Sequence, residues 1–155
     1  MMKSIISAIA VTALSSGAAL AQSVSAGFPD TVTQALKDFG HNAETTEDSY
    51  GDPMIEANYG DLKYAILFYG CKDNANCQDL QFRASFERGD GTTDEQIFGF
   101  NGEWMVGKTY VGTTGSAIIE HPIMGVDGMA RASFERTLTR WVSAMEDFYE
   151  LLYES

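Results

Sequence analysis

Two cysteines and two histidines are the side chains of this 155-residue chain best equipped for chemistry. Cys71 and Cys77 lie six residues apart around Lys72-Asp73-Asn74-Ala75-Asn76. That spacing is not the Cys-x-x-Cys that lowers a thiol pKa at a helix start, so a redox-catalytic pair fits it weakly. A zinc site would need two more soft or imidazole ligands, and His41 and His121 stand in no ligand-like spacing. Neither histidine has a serine or cysteine nucleophile with a recognisable motif beside it, and both are expected to be structural. The carboxylates Asp48, Asp52, Glu56, Asp90, Asp94 and Glu95 miss the Asp-x-Asp-x-Asp-Gly spacing of a calcium loop, so a solvated acidic face is expected. Arg88-Gly89-Asp90 reads as a turn. With no glycine-rich phosphate loop and no paired base and nucleophile, the chain is read as a non-enzyme without metal or cofactor. What remains is contact chemistry. Tyr64, Tyr69, Tyr110, Trp141 and Tyr149 are the candidates for a partner-binding surface, since aromatic rings supply contact area at low entropic cost. Ordinary packing with the hydroxyl reaching water is the alternative for each tyrosine.

The first residues set the compartment. Met1-Met2-Lys3, an apolar run from Ile5 to Leu14, a break at Ser15-Ser16-Gly17, and Ala19-Leu20-Ala21 before Gln22 match the three parts of a secretory signal. Residues 1–21 are therefore expected to be cleaved after Ala21, leaving a periplasmic or secreted chain. The apolar run is too short to span a bilayer comfortably, and Gln22 is not the cysteine a lipoprotein needs. Losing residues 1–21 from 155 leaves 134, enough for one core: a flexible lead at 22–27 and a single domain at 28–155. The formal charge of −12 becomes −13 when Lys3 departs, which disfavours nucleic acid and anionic lipid as partners. No other stretch is long and apolar enough to insert in a membrane. In an oxidising compartment Cys71 and Cys77 are expected to form an intramolecular disulfide, with a thiol-redox or small-ligand role as the alternative.

The elements that must position these residues are read from hydrophobic periodicity. Val32, Leu36 and Phe39 make one helical stripe, with Asp30 as the expected N-cap and Gly40 as the stop. The acidic segment 43–50 suits an edge strand, followed by strands at 54–59 and 62–69 joined by Gly60-Asp61. The run 62–69 is apolar on both faces and is placed centrally, with cover on each side. Leu80, Phe82, Ala84 and Phe86 alternate with Gln81, Arg83, Ser85 and Glu87, the signature of a half-buried strand. Thr93 and Gln96 offer a capping box for a helix from Asp94 to about Met105 with Ile97, Phe100 and Trp104 on one face. A hairpin at 108–111 and 117–120 follows, with Pro122 expected to end it. The last helix carries Phe134, Leu138, Trp141, Met145, Phe148 and Leu152 at spacings of 4, 3, 4, 3 and 4, with Asp127 as a candidate cap. The fold class is α+β: an antiparallel sheet, meander plus hairpin, packed by helices in the order α-β-β-β-β-α-β-β-α.

Gly51-Asp52-Pro53-Met54-Ile55, the block Phe68-Tyr69-Gly70-Cys71 to Cys77-Gln78-Asp79-Leu80-Gln81-Phe82, and Phe100-Asn101 with Gly107-Lys108-Thr109-Tyr110 together resemble the YbjN family. The resemblance runs from about Phe28 to Leu152. It implies a bacterial sensory-transduction regulator with a fold like that of type III secretion chaperones, and it brings no cofactor or catalytic residue with it. Where the family commonly has Arg-Phe, this chain has Met105-Val106. The expected function is an exported binding or regulatory module that holds a protein or peptide on an apolar surface, with a homodimer as one arrangement.

Overall fold

The computed structural model describes residues 23–153. The expected signal peptide at 1–21 lies outside them. In chain order the elements are β1 (Ser23–Val24), α1 (Pro29–Asp38), β2 (Asn42–Glu47), β3 (Pro53–Tyr59), β4 (Leu62–Tyr69) and β5 (Asp79–Phe86). Then come α2 (Asp94–Gly99), a 3-10 turn at Phe100–Gly102, β6 (Lys108–Val111), β7 (Ala117–Ile123), β8 (Met129–Ala130) and α3 (Arg131–Tyr153). Six strands form one antiparallel sheet in the order β2-β3-β4-β5-β7-β6, and β1 pairs separately with β8. The α+β class and the order of the main elements agree with the sequence reading.

The core occupies one side of this sheet. Ile55, Tyr64, Ile66, Phe68, Leu80, Phe82, Ala84 and Ile119 point to it, and the whole seam of α3 from Phe134 to Leu152 is buried against them. Phe82 meets Trp141 and Phe134 with ring centroids 5.5 Å and 6.1 Å apart. Full burial of side chains this large contributes about 1.5–3 kcal/mol each, so the seam is the principal source of stability. Gly107 marks how closely the layers approach: its φ is +94°, and a Cβ there would lie 2.8 Å from Ile119 Cδ1.

Local expectations fail where tertiary contacts override them. β4 is covered on one side only, since Tyr64, Ile66 and Phe68 are buried while Ala65 and Leu67 are half-buried and Lys63 and Tyr69 exposed. Residues 23–27 are packed rather than loose: Val24 and Ala26 are buried, and the Ala26 N–H donates to Val126 O at 2.8 Å. Asp30 does not cap α1. The helix starts at Pro29, whose ring already holds a helical φ, and Asp30 sits in the first turn. Asp127 does not cap α3 either, because Met129 and Ala130 are committed to pairing with β1. The capping box of Thr93 and Gln96 is present, but α2 ends at Gly99, where two nearby glycines weaken the helix. β7 continues through Pro122 to Ile123. β6 pairs with it only as far as Glu120, so the proline falls beside an open edge that tolerates a missing N–H.

Cys71 and Cys77 form the expected disulfide. Asp73, Asn74 and Asn76 take positive φ between them, a conformation Asn and Asp tolerate better than other side chains. Asn74 Nδ2 donates to Tyr50 O at 2.9 Å and to Asp52 Oδ1 at 3.2 Å, tying the loop to the β2–β3 turn. Replacing both cysteines by serine is expected to lower unfolding free energy by about 2 kcal/mol in urea titration while leaving the circular dichroism of the folded state unchanged.

Candidate functional site on the uncovered sheet face

Among the described residues no helix packs against the second face of the sheet. Strand parity dictates what it displays. One cross-strand row reads Thr46, Met54, Leu67, Gln81 and Pro122, and its neighbour reads Glu44, Glu56, Ala65, Arg83, Glu120 and Lys108. The first row supplies apolar contact at its centre. The second places two glutamates side by side on β2 and β3, then Ala65 as a gap, then the alternating charges of Arg83, Glu120 and Lys108.

The charged row is wired in an uneven way. Glu120 accepts a hydrogen bond from the Tyr110 hydroxyl at 2.8 Å and lies 3.9 Å from Lys108 Nζ, and the Lys108 ammonium sits 5.5 Å from the Tyr110 ring centroid. Arg83, directly across from Glu120 in the ladder, makes no hydrogen bond or ion pair among the described residues and is half-buried. Burial raises the Tyr69 phenol pKa; the Arg83 charge opposes this, and Glu120 and Asp48 add to it. Burial also raises that of Tyr110, helped by its bond to Glu120 and again opposed by Arg83. The two phenols, Glu120 and Arg83 thus share one electrostatic neighbourhood. Beside them a hollow of about 960 Å³ runs from Lys37 and His41 at the end of α1 across β2 to β5, lined by Glu44, Glu56, Lys63, Tyr64, Ala65, Arg83 and Ser85 among others.

The five aromatic candidates do not form one surface. Tyr69 and Tyr110 lie on the uncovered face, Tyr69 being 46% exposed. Tyr149 is on α3 at the other side of the molecule, where it packs on Phe86 and Tyr153. Tyr64 and Trp141 are buried, Tyr64 reaching only the wall of the hollow. The parity of β4 explains Tyr64: it shares the inner side with Ile66 and Phe68, while Tyr69 shares the outer side with Ala65 and Leu67. The Tyr64 hydroxyl meets His41 Nδ1 at 2.8 Å, and its ring lies 6.0 Å from that of Trp141. Burial lowers the pKa of His41 and of His121 and raises that of Tyr64. The sequence reading named neither Arg83 nor Glu120 as a site residue, although the alternation of β5 already placed Arg83 outward.

The edges of the sheet are less inviting than its face. Asn101 uses its side-chain amide as a strand would: Nδ2 donates to Thr109 O at 3.0 Å and Oδ1 accepts from Thr109 N at 2.7 Å. Thr109 Oγ1 donates in turn to Ile97 O. At the opposite edge β2 carries Glu44 and Glu47, charges that discourage strand addition.

A family model described as "Putative bacterial sensory transduction regulator", YbjN, matches residues 29–154. The chain belongs to the YbjN family. Among solved structures it is similar to a crystal structure of YbjN from E. coli, described as "a putative transcription regulator", with a TM-score of 0.56 at 14% identity. That match covers 85% of this chain and 93% of the other, and at this identity it speaks for the fold alone. No curated protein matches. Membership gives a physical account of one family motif noted in the sequence: in Phe100-Asn101 with Gly107-Lys108-Thr109-Tyr110, Asn101 and Thr109 are the two ends of the edge clasp.

Two outcomes follow from this geometry. Asn101→Ala leaves both backbone groups of Thr109 without their partner and is expected to lower stability by about 1–3 kcal/mol in denaturant titration. The histidines set the second. Their folded pKa values lie below the ordinary 6.5, so the unfolded chain takes up protons first as pH falls. Their contribution is intact above about pH 6.5 and is lost as pH drops towards the folded values. Unfolding midpoints between about pH 8 and 5 are expected to decline less steeply in His41→Gln with His121→Gln than in the wild type.

Proposed function

We propose that this YbjN-family chain is an exported, non-enzymatic regulatory module that holds an extended polypeptide segment on the uncovered face of its sheet. The observation that carries the reading is the one-sided core. Among the described residues a six-stranded sheet has its helices on one face and keeps Met54, Leu67, Tyr69 and Tyr110 on the other. Such a face combines apolar contact area with hydrogen-bonding groups at known positions, the mixture found in interaction surfaces. The acidity of the chain, −12 overall, argues for a polypeptide rather than a nucleic acid. The secretory-type N-terminus supports placement in the periplasm or outside the cell, where the disulfide of Cys71 and Cys77 is stable. Family membership supports a regulatory rather than a catalytic role.

A photo-crosslinking residue at Leu67, and separately at Thr139 on the solvent side of α3, tests the reading in intact cells. The expected result is a discrete adduct with another polypeptide from the Leu67 position and none from Thr139, with the recovered protein beginning at Gln22. Adducts only with a second copy of the chain would replace the partner by self-association. No polypeptide adduct from Leu67 would overturn the reading.

A further inference from the structure

We propose that Arg83 is the anchor of the uncovered face, a subsite that takes the side-chain carboxylate of an Asp or Glu in the bound segment. This rests on the reading of that face as a polypeptide-holding surface, and it names the chemistry the segment must present.

Four features carry it. Arg88 pairs with Asp94 at 2.7 Å and donates to Thr92 O, and Arg131 pairs with Asp38. Arg83 is half-buried and has no such partner among the described residues. The carboxylate facing it in the ladder, Glu120, is occupied by Tyr110 and Lys108. On its other flank the facing residue is Ala65, so the hollow opens beside the guanidinium instead of being filled. A guanidinium that has lost part of its hydration and found no acceptor is an incomplete interaction, and a planar carboxylate completes it with two parallel hydrogen bonds.

The surroundings narrow the ligand. Lys108 is set against Glu120 and Lys37 and Lys63 line the hollow, but beyond Ala65 the row continues into Glu56 and Glu44, so a run of acidic residues along it meets repulsion. A single carboxylate between neutral or basic residues does not. The position argues for a side chain over a chain end. β5 has three strands on one side and two on the other, so a segment crossing the face passes over Arg83 with chain to both sides. Six strands about 4.8 Å apart span about 24 Å, which about eight extended residues cover.

The test is selection from two displayed libraries of random eight-residue peptides, one with blocked ends so that only side chains carry carboxylates, one with free C-terminal acids. The baits are the oxidised mature protein, Arg83→Gln, Arg83→Lys and Arg140→Gln. The expected result is enrichment, from the blocked library, of peptides with one Asp or Glu at a fixed position. Their affinity should fall about tenfold or more in Arg83→Gln, fall less in Arg83→Lys and stay unchanged in Arg140→Gln, with all baits melting alike. Peptides selected without an acidic position, or bound equally by Arg83→Gln, would overturn the anchor while leaving the face as a binding surface. Enrichment only from free C-terminal acids would overturn the side-chain assignment. No enrichment from either library would overturn the binding face itself, and this proposal with it.

Discussion

Trp141 presses on Phe82 at the centre of the molecule, and Phe82 in turn meets Phe134 and Tyr64. The rest of the structure depends on this contact between one helix and the inner side of β5. A seam of six large apolar residues, at most 2% exposed, leaves α3 only one place to lie. Once it lies there, the two faces of the sheet have different fates. The inner one becomes core, and among the described residues the outer one has no second long amphipathic helix to receive it. α1 and α2 are too short to compensate, and they pack at the flanks, α1 beside β2 and α2 beside β6.

The one-sided arrangement also explains how the sheet remains a closed unit. A sheet with a bare face is exposed to strand addition at its edges, and both edges are managed locally. At β6 the amide of Asn101 occupies the backbone groups of Thr109, and at β2 the glutamates repel a copy of the same strand. Both edges thereby lose the open backbone or the neutrality that strand addition needs.

Much of this was legible in the sequence because it rests on periodicity. The alternation of Leu80 to Phe86, the limits of β4 and the seam from Phe134 to Leu152 are patterns of 2 and 3.6 residues that survive folding unchanged. The failures share a cause. β1 and β8 are two-residue strands that exist only through each other, and neither has a local pattern. The covered or bare state of a strand face depends on where helices go, so Leu67 and Phe68 looked alike in sequence and ended on opposite sides. Aromatic character alone could not separate Tyr64 from Tyr69, but counting parity from Ile66 would have done so. Arg83 was placed outward correctly; its missing partner was invisible because Glu120 belongs to a strand over thirty residues on and is engaged by Tyr110.

The disulfide takes on meaning in this light. Side chains alternate along a strand, so a slip of one residue in β5 against β4 would turn Arg83 to the inner side and Phe82 outward while Leu67 and Phe68 kept their places. The connection between these strands is therefore the place where the identity of the outer face is decided. Cys71 and Cys77 close that connection just beyond the pair Tyr69 and Asp79, and the Gln78 N–H donates to Tyr69 O at 2.9 Å. The chain of backbone bonds continues from Val126 N to Gln78 O and from Ala26 N to Val126 O, so the same loop holds the segment that follows β1. Oxidation of one pair of cysteines thus secures both the register that turns Arg83 outward and the packing of the segment that follows β1. The cysteines need no redox chemistry of their own to matter for what the face presents.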